Sequence, residues 1–203
     1  MSFENIGLFP ITATINSADH LTLGGCDAAG LVSEFGTPLL VYDEFTLREM
    51  CRQFVDGFTS RYPDTIVAYA SKAFLNTAIA RLVSEEGMGL DVVSGGELAV
   101  ALAAGVPMAK VYFHGNNKSA DELEFAVESQ IGRIVIDSFN ELRLLDDIAR
   151  NKGIKQDVMI RLSPNVDPHT HAFTTTGILD SKFGFAIETG DSAQAIRQAI
   201  AAK

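Results

Sequence analysis

The sequence predicts an α/β fold, a parallel sheet covered by helices, and within that class a partial (β/α)8 TIM barrel. Three observations carry this reading. Short apolar runs suited to buried parallel strands recur at 65–71 (TIVAYAS), 89–94 (GLDVVS), 110–115 (KVYFHG), 132–137 (GRIVID) and 156–163 (QDVMIRLS). Segments of helical apolar period fill the gaps between them. The equivalent positions Ile66, Leu90, Val111, Ile134 and Val158 lie 24, 21, 23 and 24 residues apart, and no Gly-x-Gly-x-x-Gly turn follows the first run. The near-constant repeat favours a barrel over an open doubly wound sheet. A complete barrel needs eight strands and about 250 residues, so a chain of 203 with five legible strands offers about five of the eight.

The elements follow in order. The first 20 residues read as irregular, 20–25 (HLTLGG) as a short strand, and 27–36 as a short helix ended by Gly36 with Pro38 beyond it. Residues 38–43 (PLLVYD) read as a strand. From Glu44 to Arg61, Leu47, Met50, Cys51, Phe54, Val55 and Phe58 keep helical spacing. After the first barrel strand, Leu75, Ala78, Ile79, Leu82 and Val83 form one helix face, closed by Gly87. The segment 95–104 is a short Ala-rich helix. Ser119 with Glu122 and Ser138 with Glu141 have capping-box spacing and open helices over 120–129 and 139–151. A last helix runs from Ser192 to Ala202 with Asp191 as its cap. The chain thus divides into an N-terminal segment, 1–43, and a partial barrel, 44–203.

Composition excludes several classes. The chain is 47% hydrophobic and 21% charged, which is globular rather than disordered. A net charge of −10 argues against nucleic acid as a partner, and no run approaches the ~20 apolar residues of a membrane span. The N-terminus lacks the basic and apolar regions of a signal peptide. Cys26 and Cys51 are unclustered and suit a reducing cytoplasm.

In parallel α/β folds chemistry gathers where the strands end. The strand ends here carry Lys72, then Asp91, Ser94 and Glu97, then His114, Asn116, Asn117 and Lys118, then Asp137, and finally Arg161, Ser163 and Asn165. A lysine among Ala70, Ala73 and Phe74 has its charged form disfavoured and its pKa lowered, and a neutral amine is the nucleophile that condenses with carbonyl cofactors. The alternative for Lys72 is a snorkelling strand-end lysine. Asp91 and Glu97 form either a proton-handling or cofactor-orienting pair, or a loop acceptor and a helix first-turn acid. His114 either stacks on a cofactor or is a satisfied rim histidine. His169 and His171 have a metal-binding spacing but lie in a Pro-containing loop, which argues against a metal site.

Several of these stretches resemble the fold-type III pyridoxal-phosphate decarboxylases, which share an alanine-racemase-like barrel, and within them the diaminopimelate decarboxylases. The matching pieces are YASKAF (69–74), GLDVVSGGEL (89–98), FHGNNKS (113–119), IDSFNEL (136–142) and above all RLSPNVDPHTHAFTTTGILDSKFGF (161–185). The last resembles the family's segment from Arg-x-Asn-Pro-x-Val-Asp to Ser-Thr-Gly and Lys-Phe-Gly. It departs at Ser163, where Asn is usual, and at Ala172-Phe173, where Pro-Tyr is common.

The resemblance implies that Lys72 is the Schiff-base lysine for pyridoxal 5'-phosphate and that Asp91, Glu97, His114 and Arg161 line the cofactor pocket. It places His171, Thr176 and Gly177 in a loop at the substrate site and subunit interface. It implies a cytoplasmic lysine-biosynthesis enzyme that works as a homodimer on a small amino acid, meso-2,6-diaminopimelate, releasing L-lysine and CO2. Part of segment 1–43 would then belong to a C-terminal β domain of the intact protein. The stacking histidine, the phosphate loop, the acidic partner of the pyridine nitrogen and the β-domain cysteine of the family all belong beyond residue 203. The 203 residues are therefore expected to be inactive alone and to bind cofactor weakly. Rival expectations are a decarboxylase of ornithine, arginine or carboxynorspermidine, a non-catalytic decarboxylase-like binding protein, and a metal-dependent barrel hydrolase.

Overall fold

The computed structural model describes residues 6–166 and 183–202. The chain forms two compact units, Met1–Val67 and Ala68–Lys203.

In the first unit, β1 (Thr14–Ile15), β2 (Leu21–Leu23) and β3 (Cys26–Asp27) form an antiparallel sheet in that order. Asp27 then caps α1 (Ala28–Phe35) by accepting the N–H groups of Ala29 and Gly30. Its other oxygen accepts from Asn16 and faces the His20 ring, each at 2.9 Å. The His20 hydrogen bond is the main reason that the Asp27 carboxyl is held down to about 2. Gly36, at φ +79°, ends the helix as expected. Helix α2 (Glu44–Thr59) is capped by Asp43 and buries Cys51. Residues 38–43 were expected to be a strand and are not one: they join no sheet, and Leu40 is 84% exposed. An apolar run with no neighbouring strand has nothing to pair with.

The second unit holds a five-stranded parallel sheet in sequential order: β4 (Ala68–Ala70), β5 (Gly89–Val92), β6 (Val111–Phe113), β7 (Arg133–Ile136) and β8 (Val158–Ile160). Between the strands lie α3 (Thr77–Glu85), α4 (Gly95–Ala104), α5 (Ala120–Glu128) and α6 (Phe139–Lys152). Each helix packs against the next. Sequential strands with sequential helices make a singly wound β/α sheet, as in a barrel, rather than a doubly wound one. After Arg161 the chain continues as β9 (Leu162–Ser163), which takes β10 (Phe185–Ala186) as a further parallel neighbour, and α7 (Asp191–Ala201) follows.

Register explains the two faces. Residues paired across parallel strands share a face, and alternate residues lie on opposite faces. One row contains Leu90 with Val111 and Phe113 with Ile134, and includes Val92 and Ile136; all six are fully buried, on the side the helices cover. The other row runs Ala70, Asp91, Tyr112, Arg133, each paired to the next. Its last three members are only half-buried. The paired spacings are 21, 21 and 21 residues along this row, and 24 from Ile134 to Val158. The sequence spacing set Ile66 opposite Leu90, but Leu90 pairs with Tyr69. Ile66 lies before the strand and is 44% exposed, because the ladder starts only at Ala68.

Helix starts follow one device. Ser94, Ser119 and Ser138 each accept the N–H of the glutamate three residues on, Glu97, Glu122 and Glu141. Glu122 also accepts the N–H of Gly95 at 2.8 Å, linking the start of α5 to that of α4. Asp191, expected as a cap, is instead the first residue of α7; its N-cap is Gly190, and the carboxylate accepts from the Thr189 hydroxyl at 2.8 Å. Among the described residues no helix is long and apolar enough to cross a membrane.

Two expectations follow. A Cβ at Gly132 would lie 2.2 Å from the carbonyl oxygen of Ala109, which is backbone and cannot swing away. Gly132→Ala should therefore lower stability by about 1–3 kcal/mol, the range for overpacking, read as a lower urea midpoint at unchanged slope. Glu122→Ala should cost about 1–2 kcal/mol, as for a lost cap. The Glu122 carboxyl lies below the ordinary 4.5 because backbone N–H groups of Ser119 and Gly95 hold its charged form. A depressed carboxylate adds stability above its unfolded value and loses it as pH falls through the folded one. The gap in melting temperature between wild type and Glu122→Ala should be full at pH 7 and shrink as pH drops through and below 4.5; a gap that widens on acidification would contradict the assignment.

Candidate cofactor site

The half-buried sheet face ends in a rim of polar side chains. His114 and Arg161 are the first residues past β6 and β8, and the ladder still holds them. The His114 N–H donates to Val92 O at 2.8 Å and the Arg161 N–H to Ile136 O at 3.0 Å. Both lie two residues beyond members of the half-buried row or its continuation, Tyr112 and Met159, so they point to the same side.

Asp91, on β5, meets the His114 ring through Nδ1. The carboxylate fixes the ring's orientation and leaves Nε2 as its second polar atom. Arg161 donates through one terminal nitrogen to Asp137 Oδ1 at 3.1 Å, and its guanidinium carbon lies 4.2 Å from the centre of the Phe183 ring. Gly184 follows at φ +73°, and a Cβ there would lie 2.7 Å from Arg161 O. The Phe-Gly pair thus has a physical role: the ring supports the guanidinium, and only glycine lets the backbone approach so closely. Phe185 then packs edge-on against Phe139 with ring centres 4.8 Å apart.

Lys72 sits in a short 3-10 turn, Ser71–Ala73, just past β4. Its neighbour along the half-buried row, Ala70, pairs with Asp91. Lys72 is exposed, and so are Ala70, Ala73 and Phe74. The apolar shell expected to desolvate the amine therefore does not enclose it. Among the described residues its ammonium has no hydrogen bond or ion pair. The Ser71 hydroxyl beside it is buried and has no partner among them either.

Glu97, on the first turn of α4, has its carboxylate engaged by the backbone. Its Oε2 accepts the Val93 N–H at 2.8 Å, the first amide past β5, so its place is that of a cap. His169, His171, Thr176 and Gly177 lie outside the described residues.

The sequence reading named Lys118 without a role and took Glu141 for a helix cap. Lys118 is buried, with its side chain 1% exposed, and its ammonium is 2.8 Å from Glu141 Oε1. It donates to Gly115 O at 2.7 Å and Val135 O at 2.9 Å. The other oxygen of Glu141 accepts the Asp137 N–H at 3.1 Å. Burial raises the Glu141 carboxyl above its ordinary value, with Lys118 pulling the other way. The available signal was the turn Gly-Asn-Asn-Lys-Ser leaving β6, where a lysine facing inward must find carbonyls and a carboxylate.

The donor set suits a carbonyl-bearing cofactor. It offers a primary amine that is unpaired among the described residues, on the strand next to a carboxylate–imidazole pair, with an anchored guanidinium at the far end of the same rim.

Comparison with known proteins agrees with this chemistry. Residues 47–203 match the model of the pyridoxal-dependent decarboxylase family, pyridoxal binding domain. The chain is 48% identical over 189 residues to a diaminopimelate decarboxylase of Bacillus methanolicus, covering 93% of this chain and 44% of that protein. The enzyme of that name from Bacillus subtilis (strain 168) is likewise 48% identical over 189 residues, 43% of its length. The structure of diaminopimelate decarboxylase from M. jannaschii in complex with L-lysine superposes with a TM-score of 0.86 at 37% identity, over 95% of this chain and 45% of that one. The chain spans less than half the length of the relatives it matches. Its parallel strands, its strand-end amine and a family match over residues 47–203 lead to one conclusion: the chain belongs to the pyridoxal-dependent decarboxylases, through their pyridoxal-binding domain.

Proposed function

We propose that this chain supplies the lysine-bearing half of the active site of a decarboxylase that converts meso-2,6-diaminopimelate to L-lysine and CO2. The observation that carries the proposal is Lys72. It is an amine with no hydrogen bond or ion pair among the described residues, on a rim where the carboxylate and guanidinium candidates are paired. The substrate assignment is supported by the diaminopimelate decarboxylases that the chain resembles along nearly all of its length.

Bound pyridoxal phosphate supplies an electron sink for the pair left behind when a carboxylate departs as CO2. Lys72 would hold that group through Nζ. The Asp91–His114 pair would present an oriented imidazole to it, with Asp91 fixing which ring nitrogen carries the proton. Arg161, held from both sides by Asp137 and Phe183, would keep a positive charge in place at the far end of the rim. His171, Thr176 and Gly177 complete the reading as residues of the substrate loop.

The same reading gives the intact protein a second copy of itself as partner and a cytoplasmic setting. Among the described residues β4 and β10 each pair with one strand, and the further strands of a complete barrel would take their free sides. The N-terminal segment 1–43 would share in the protein's β domain, and 44–203 would form the first part of the barrel. The 203 residues alone would bind cofactor weakly and turn over no substrate.

Mixing the purified chain with pyridoxal phosphate, reducing with borohydride and mapping peptides by mass should place the adduct on Lys72. The Lys72→Ala variant should lose both the visible absorbance and the mapped adduct, with its melting temperature within a few degrees of wild type. Reduction that labels other lysines equally, with Lys72 unmodified in both this chain and a longer form, would overturn the cofactor assignment.

A further inference from the structure

We propose that Lys118 is a positioning residue for the cofactor rim. Its buried ammonium holds the turn that leaves β6, so that the His114 ring stays against Asp91, and joins that turn to the Asp137–Arg161 pair. The proposal rests on the cofactor reading above for its purpose, though not for its geometry.

An ammonium has three N–H donors. Two of those on Lys118 go to Gly115 O, at 2.7 Å in its own turn, and to Val135 O, at 2.9 Å on β7. Its charge faces Glu141 Oε1 on α6 at 2.8 Å, and the nitrogen lies 5.5 Å from the centre of the Phe113 ring on β6. One nitrogen therefore ties three elements together beneath the rim. The turn needs such a tie. His114 is held by the ladder at its start, but Gly115 departs at φ +123°, a conformation that breaks strand geometry.

The pair continues toward Arg161. Glu141 takes the Lys118 charge on one oxygen and the Asp137 N–H on the other, at 3.1 Å. Asp137 in turn accepts from Arg161. Lys118, Glu141, Asp137 and Arg161 thus form a line with a cation at each end and two acids between them, joined by the Asp137 N–H. Lys118 makes no hydrogen bond or ion pair with Lys72, Asp91, His114 or Arg161, so it acts only through the turn and through Glu141.

Stability alone does not account for this arrangement. A buried ion pair is often replaceable by apolar residues of similar volume without loss of stability. What apolar residues cannot supply is a directed donor to each of two carbonyls on neighbouring elements. The distinction is testable, because Lys118→Met with Glu141→Gln removes both charges at once, leaves neither buried and unpaired, and keeps an amide oxygen for the Asp137 N–H.

The experiment compares the 203-residue wild type, the double variant and Lys118→Arg. Three quantities are read: melting temperature, the His114 amide exchange rate with the 15N resonances of its ring in the cofactor-free protein, and affinity for pyridoxal phosphate by absorbance. The double variant should melt within a few degrees of wild type. Its His114 amide should exchange at least tenfold faster while amides of β5 and β7 stay protected, and its ring resonances should lose the signature of an Asp91 partner. Pyridoxal phosphate should bind at least tenfold more weakly.

A double variant with wild-type ring resonances and amide exchange would overturn the proposal, since Lys118 would then only neutralise Glu141. Altered His114 signals with unchanged cofactor affinity would also overturn it. If the wild type forms no adduct at Lys72, the cofactor reading fails by itself, and the His114 signals still decide whether Lys118 holds the turn. Should the double variant unfold, Lys118→Arg serves the same test. It keeps a charge opposite Glu141 but cannot place one nitrogen on both carbonyls, so it should keep stability and show the same His114 changes.

Discussion

The parallel register of β4 to β8 is the constraint on which the second unit depends. Pairing Tyr69 with Leu90, Leu90 with Val111 and Phe113 with Ile134 commits one set of alternate residues to the helix-covered side. Because the side-chain period is two, that choice also sends Asp91, Tyr112 and Arg133 to the other side, with no freedom left over. A slip of one residue on β5 or β7 would turn Asp91 or Arg133 toward the helices and turn a core residue such as Val92 or Ile134 away from them. The same register carries His114 and Arg161 one residue past their strands while the ladder still holds their backbones. The rim's composition is thus a consequence of core packing.

Leaving a sheet creates a local problem that the molecule solves with glutamate. The first amides beyond a strand have lost their ladder partners, and an unpaired buried N–H is costly. Glu97 takes the Val93 amide, Glu141 takes the Asp137 amide, and Glu122 takes those of Ser119 and Gly95. Each glutamate also sits in the first turn of a helix, where the dipole favours its charge. Three of the acids near the rim are therefore used by the backbone. Asp91 and Asp137 remain, and each faces a basic side chain, His114 and Arg161, that the sheet has placed beside it.

How much of this was legible from the residues depended on range. Helices with caps and periodic apolar faces were readable, because Ser-x-x-Glu and Gly termination act within one turn of chain; α4 matched at both ends. Residues 38–43 failed as a strand because an apolar run does not say whether a neighbour exists to pair with it. The register of β4 was displaced by three residues for a similar reason: Ile66 is apolar, but pairing, not polarity, decides where a strand begins. The strand-end residues Lys72, Asp91, His114 and Arg161 were legible as a set, since parallel topology sends all strand exits to one rim. Their pairings were not. That Arg161 takes Asp137, 24 residues away, and that Lys118 is buried against Glu141, are facts of tertiary packing. The expected apolar cover of Lys72 was inferred from chain neighbours, and those neighbours are exposed.

The contrast between Lys72 and Lys118 says what each lysine is for. Both stand just after a strand, and both have the same intrinsic chemistry. Lys118 is surrounded: two carbonyls accept its N–H groups and a carboxylate faces its charge. An amine in that state cannot act as a nucleophile without breaking a buried ion pair, which carries a penalty of several kcal/mol. Lys72 has no such contacts among the described residues and pays nothing to leave its place. In the proposed site Lys118 would set the geometry of its neighbours and Lys72 would be the amine that reacts. The sheet provides both by the depth at which each turn leaves it. The turn after β6 folds Lys118 back under Phe113 and Val135, whereas the turn after β4 leaves Lys72 exposed among the described residues.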